Sequence, residues 1–242
     1  MAPQQARKPR HPHWARATAR DTRLGIMNRH EFTVTDSELL HDAPILALRR
    51  DTVTMPGGTT AEREIVEHFG AVAVVALSDS GRIAMVEQYR HSVRRRLWEL
   101  PAGILDTYGE DPVQCAAREL REEAGLAAQR WELLADIVTS PGFCEEAVRI
   151  FLARELCEVE QPEAEDEEAD MQLKWVDVDE ARAAVMDGRI TNSIAVVGIL
   201  AASEVVAGRH SARDSQVAFD LRPTSMAERR HAEGIKPDMK KL

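Results

Sequence analysis

Between Asp111 and Gly125 the sequence DPVQCAARELREEAG carries the signals for both ends of one helix. Aspartate is a strong N-cap, and proline suits the first helical position because its missing N–H would find no partner there. Glycine adopts the left-handed conformation that ends a helix without a Cβ clash. These signals predict a helix over Pro112–Ala124, with Val113, Ala117, Leu120 and Ala124 at the spacing of one apolar face. The opposite face places Glu119 three and four residues from Glu122 and Glu123. Like charges at such spacings repel by roughly 0.2–0.5 kcal/mol per pair. Arg118, four residues before Glu122, can orient that carboxylate. A solvated face would account for the crowding, and so would a cation seated on it. A hard divalent ion such as Mg²⁺ takes oxygen ligands of this kind and keeps positions for water or phosphate.

The rest of the chain reads as strands with a few helices. EFTVTDSELL (31–40) and APILALRRDTVTM (43–55) alternate, and MPGG then breaks the pattern as a turn. EREIVEH leads into AVAVVAL (71–77), a buried strand, with RIAMVEQYR (82–90) expected back as its hairpin partner across SDSG. RLWELPAG (96–103), WELLADIV (131–138), AVRIFLARE (147–155) and MQLKWVDV (171–178) also read as strands. DEARAAVMDG (179–188) and TNSIAVVGILAASEVVAG (191–208) read as helices. The expected class is α+β, with a mixed sheet sandwiched between helices and a small antiparallel N-terminal sheet. The expected divisions are a disordered basic extension over 1–29, an N-terminal β subdomain over 30–58, a main domain over 59–208 and a polar tail over 209–242. The first 29 residues hold seven Lys/Arg and one acid, with Pro3, Pro9 and Pro12 opposing an amphipathic helix.

Composition excludes some roles. The formal charge is −10, which sets the chain against nucleic-acid binding. The longest apolar run, from Ile194, is about half of the ~20 residues a membrane span needs. The three cysteines, Cys115, Cys144 and Cys157, form no C-x-x-C and suit a reducing, cytoplasmic setting. Cys115 reads as a small apolar filler on the helix, and Trp98 and Trp131 as core residues. The acidic run Glu160–Asp170 reads as a solvated loop.

The segment GILDTYGEDPVQCAARELREEAGL resembles the Nudix box, whose pattern is Gly, five residues, Glu, seven residues, then Arg-Glu-apolar-x-Glu-Glu-x-Gly-apolar. Arg118, Glu119, Leu120, Glu122, Glu123, Gly125 and Leu126 match, as does Glu110, with seven residues between it and Arg118. Six residues, not five, separate Gly103 from Glu110. An insertion inside the helix would rotate a carboxylate by ~100°, whereas a loop absorbs it by bulging. REIVEHFGAVAVVAL, EQYRHSVRRRLWELPAG, SPGFCEEAVRIFLA and GRITNSIAVVGIL look like segments of ADP-ribose pyrophosphatases of this family, and the six-residue spacing in the box looks like the actinobacterial type in particular.

That resemblance implies Mg²⁺-dependent hydrolysis of ADP-ribose to AMP and ribose 5-phosphate, with two or more ions per site and Mn²⁺ as the alternative metal. It implies Glu119 and Glu123 as metal ligands, Glu122 as a third, and the carbonyl of Ala102 as a backbone ligand. It places the general base in the loop after the box, at Glu146 by alignment to SPGF, with Glu145 as the alternative. Arg63, Arg90, Glu99 and Gly142 become substrate-binding candidates, and Gly103, Glu110, Arg118 and Gly125 structural members of the box. It implies a small nucleoside diphosphate substrate and a homodimer in which the N-terminal sheets reach over the neighbour. Two other readings stand beside it. One is a Nudix pyrophosphatase acting on a nucleoside triphosphate, dinucleotide or nucleotide sugar. The other is a non-catalytic sensor that binds ADP-ribose.

Overall fold

The computed structural model describes residues 30–162 and 170–240. The basic extension over 1–29 and most of the acidic run lie outside the described residues. The strands are β1 (Val34–Ala43), β2 (Leu46–Thr54), β3 (Thr60–His68), β4 (Ala71–Ala76), β5 (Arg82–Arg90), β6 (Arg95–Glu99), β7 (Ala102–Ile104), β8 (Leu126–Val138), β9 (Ala147–Glu158), β10 (Gln172–Asp177) and β11 (Arg213–Asp214). The helices are α1 (Pro112–Ala124), α2 (Val178–Met186), α3 (Ser193–Val206) and α4 (Ser225–Ala232).

The strands form three sheets, in the orders β1-β2-β3, β10-β5-β6 and β11-β8-β9-β4-β7. In the largest, β4 runs parallel to β9 and antiparallel to β7. β4 is buried on both faces, which is why AVAVVA has no polar alternation. Ala71, Ala73 and Val75 pack with α2 and α3, while Val72, Val74 and Ala76 pack with α1. The period-two alternation of one strand therefore feeds two helix layers, and the expected α+β sandwich forms.

Helix α1 spans the predicted residues. The Asp111 side chain accepts from the Val113 N–H, and Gly125 has φ 63° with its N–H bonded to the Arg121 carbonyl. The buried face differs by one residue from the expected one. Cys115 and Ala116 are fully buried and Ala117 is exposed, because the helix turns its Cys115–Leu120 side into β4 and β5.

Three other expectations change. β4 and β5 are not a hairpin pair: an isolated bridge joins Leu77, just past β4, to Ile83, and β5 pairs with β6 and β10. Both edges of β4 are already taken by β9 and β7, so β5 must leave that sheet. The N-terminal sheet continues past residue 58 into β3, since the MPGG turn closes the β2–β3 hairpin. The segment after Arg209 is polar but folded onto the body. Met226 and Met239 are buried with Phe69, and the fully buried Arg230 donates to Asp42 Oδ1 at 2.8 Å and to the Pro44 carbonyl at 2.8 Å. Its carboxylate partner, Asp42, lies far away in sequence, which composition does not display.

Candidate active site

Helix α1 lies against β7, the edge strand of the large sheet. The two touch where Gly103 faces Glu119: a Cβ on Gly103 would stand 2.0 Å from Glu119 Cδ. The glycine thus leaves the space that the Glu119 side chain fills. One residue before, the Ala102 N–H donates to Glu123 Oε2 at 2.9 Å. A strand residue's N–H and C=O leave from the same edge, so the Ala102 carbonyl is directed toward α1 as well. Arg118 gathers the other carboxylates. It reaches Glu110 through two bonds of 3.2 Å, Glu119 at 2.6 Å and Glu122 at 3.1 Å.

Glu119 is nearly buried, and burial pushes its carboxyl up to about 7 even though Arg118 pulls it down; Glu122 and Asp106 add to the rise. Four carboxylates, Glu110, Glu119, Glu122 and Glu123, gather around the single guanidinium of Arg118 and the Ala102 amide. Among the described residues no three His, Cys, Asp or Glu side chains converge as a metal cluster; the box carboxylates are turned to Arg118 and to the Ala102 amide. The donor set is nonetheless all oxygen and partly desolvated, and a hard dication is the partner that would lower the cost of that charge. The residues fit a divalent ion.

A cleft of about 510 Å³ opens beside this contact and is lined by Ala102, Gly103, Arg90, Glu99, His68 and Glu146, among others. Glu146 is oriented by Thr139, whose hydroxyl donates to its Oε2 at 2.6 Å. His68 Nδ1 stands 3.7 Å from Glu146 Oε1 but accepts the Gly70 N–H, and burial lowers its pKa against the pull of Glu146 and Glu145. Burial thus favours the uncharged ring beside Glu146. Arg90 holds the buried Glu99 in a bidentate pair at 3.0 and 2.8 Å.

The remaining expected residues lie elsewhere. Glu145 lines a second depression, of about 460 Å³, together with Arg63 and Gly142. Arg63 is exposed and donates to the Glu62 carbonyl at 2.7 Å. Two arginine candidates therefore occupy two different hollows, separated by the loop that carries Glu145 and Glu146.

The extra residue of the box falls between β7 and α1, in the loop 105–111, outside the helix. The C-terminal segment covers this loop. Tyr108 donates its N–H to the Pro237 carbonyl at 2.8 Å, its ring stacks on His231 at 3.8 Å, and Lys240 Nζ reaches Asp106 at 2.6 Å. Sequence reading missed Asp106, His68, Thr139 and the cleft residue Asn192. Asn192 carried a local signal, as the N-cap of α3 that accepts from the Ala195 N–H. The others had none: His68 is placed by β3, and Asp106 and Thr139 stand just beyond the ends of β7 and β8.

Comparison with known proteins follows the same lines. Residues 67–195 match the family model described as NUDIX domain, and residues 32–66 match the one described as Nucleoside diphosphate sugar hydrolase N-terminal domain. An ADP-ribose pyrophosphatase of Mycobacterium tuberculosis is 53% identical over 204 residues, covering 84% of this chain and 99% of that protein. One from Bacillus subtilis is 40% identical over 144 residues, covering 60% and 77%. A methanol dehydrogenase activator of Bacillus methanolicus is 38% identical over 163 residues, covering 67% and 88%. A crystal structure described as an ADP compounds hydrolase aligns with TM-score 0.64 over 74% of this chain and 96% of its own, a likeness of fold at 17% identity. A family model over more than half the chain, and a relative matched almost end to end, make this chain a member of the Nudix hydrolase family.

Proposed function

We propose that the protein hydrolyses the diphosphate of ADP-ribose to AMP and ribose 5-phosphate, with Mg²⁺ as its ion and Mn²⁺ as a substitute. The observation that carries this reading is the near full-length relation to an ADP-ribose pyrophosphatase, which includes the N-terminal sheet as well as the box. The cleft supports it, since Glu146 and the β7–α1 contact face one space.

Divalent ions held by Glu119, Glu122, Glu123 and the Ala102 carbonyl would neutralise the diphosphate and make a bound water more acidic. Arg118 keeps three of the box carboxylates in register. Glu146 takes the proton of the attacking water, while Thr139 holds its other oxygen. The water oxygen bonds to one phosphorus, the bridging P–O bond breaks, and the leaving phosphate departs with the electron pair. Arg90, pinned by Glu99, offers a fixed guanidinium to a phosphate or an adenine face.

Exposed Phe32, Val34 and Leu39 on and beside β1 support a homodimer through the N-terminal sheet. Three free cysteines support a cytoplasmic setting.

The test is to incubate the purified protein with ADP-ribose, with Mg²⁺ and with chelator, and to separate the products. AMP and ribose 5-phosphate are expected only with the metal; no turnover with Mg²⁺ would refute the reading. The description of the N-terminal family model favours, as a second reading, another nucleoside diphosphate sugar, so one is run in parallel.

Gly103→Ala probes the β7–α1 contact. Its Cβ would displace the Glu119 carboxylate rather than the backbone. Small misplacements of catalytic groups are costly, so kcat is expected to fall roughly 10- to 10²-fold with the melting temperature nearly kept. Wild-type kcat would show that Glu119 need not sit where it does.

A further inference from the structure

The loop after the box is tied down from the side facing away from the cleft. Its residues Cys144 and Glu145 lie beside β3: the Val66 N–H donates to the Phe143 carbonyl at 2.8 Å, and the Glu145 N–H to the Val66 carbonyl at 3.1 Å. The Glu145 carboxylate is then gripped twice. Arg49 Nη1 of β2 donates to its Oε2 at 3.0 Å, and Ser225 Oγ at the start of α4 donates to its Oε1 at 2.5 Å. The same Arg49 nitrogen reaches the buried Glu67 at 2.9 Å, and Arg229 of α4 reaches that glutamate's other oxygen at 2.5 Å. Strand β2, strand β3, helix α4 and the loop thus share one ionic network.

We propose that Glu145 is a positioning residue: its clamp between Arg49 and Ser225 fixes the loop in the register that turns Glu146 into the cleft. The physical reason is alternation. The chain passes from Glu145 and Glu146 straight into β9, and consecutive side chains of an extended chain leave on opposite sides. Anchoring one outward determines where the next one points. Their partners show this division, with Glu145 bound to Arg49 and Ser225 and Glu146 to Thr139. Helix α4, far along the chain, thereby becomes part of the apparatus.

This inference rests on Glu146 being the base, and the experiment separates the two. Steady-state ADP-ribose hydrolysis with Mg²⁺ is measured for full-length Glu145→Ala, Ser225→Ala and Ser225→Thr. Amide hydrogen exchange of residues 139–146 is followed in the same variants. Glu145→Ala is expected to lower kcat roughly tenfold, with KM within about twofold, because a reacting group is misplaced while substrate contacts stay. Ser225→Ala is expected to lose roughly threefold, and Ser225→Thr, which keeps the hydroxyl, to stay within about twofold of the parent. Exchange should quicken in the loop and not in β4.

In a Glu146→Gln background, Glu145→Ala should cause no further loss, since residues acting as a unit are not additive. An equal loss in both backgrounds, or parental kcat and parental loop exchange in Glu145→Ala, overturns the proposal. Full turnover by Glu146→Gln alone overturns the base assignment instead, and loop exchange then decides whether Glu145 holds the loop. Should Glu145→Ala fail to fold, Ser225→Ala carries the same comparison, because it removes one hydroxyl.

Discussion

Glu146→Gln lowers kcat for ADP-ribose hydrolysis by roughly 10²–10⁴-fold, the range expected when a general base is removed. Glutamine has the same shape, and its carbonyl oxygen can still accept the Thr139 hydroxyl, which donates to Glu146 at 2.6 Å. What it cannot do is take a proton from water. KM should therefore move little and the melting temperature should hold, so the loss appears in kcat. His68, whose Nδ1 stands 3.7 Å from Glu146, offers no ready substitute: that nitrogen accepts the Gly70 N–H. Steady-state kinetics with a thermal melt on the same preparation decide the matter. Near-parental kcat would move the base to another group of the cleft.

Glu123→Gln is expected to cost at least ~10² in kcat, because several kcal/mol of charge stabilisation depend on a metal ligand. The substitution keeps an oxygen that can accept the Ala102 N–H, now 2.9 Å from Glu123 Oε2, so the β7–α1 contact survives. The charge is lost. Mn²⁺ affinity, read by the paramagnetic resonance of free ion, should fall together with kcat, while Glu146→Gln should leave that affinity nearly unchanged. This pair of variants distinguishes ion holding from proton transfer. Unaltered turnover and Mn²⁺ affinity in Glu123→Gln would remove it from the ligand set.

Both residues are candidates from the sequence, though for different reasons. Glu123 follows from α1 alone. Asp111, Pro112 and Gly125 set its ends, and the helical repeat then turns Glu119, Glu122 and Glu123 toward one side. Glu146 was singled out by its likeness to family members, and its neighbour Glu145 could not be separated from it by residue type. Adjacent glutamates in a loop carry no periodicity to say which one faces inward. The structure separates them, because Arg49 and Ser225 hold one and Thr139 the other. Arg63 and Arg90 were likewise equivalent as residue types, and only the pairing of β5 with β6 puts Arg90 on Glu99 in the cleft.

The C-terminal segment is the strongest case of tertiary decision. Its composition reads as a solvated tail, yet Arg230 is buried and Lys240 meets Asp106 beside the box. A buried arginine is stable only where its partners are already assembled, and those partners include Asp42 and the backbone of the N-terminal sheet. What the sequence determined by itself was local: the capped helix, its carboxylate face, and strands whose hydrophobic period is short. Such features arise from contacts within a few residues, where chain order and physical proximity coincide. Which sheet β5 joins, which glutamate faces the cleft, and that α4 braces the loop are set by contacts between distant segments. Those depend on which edges and charges remain unmatched once the core has formed.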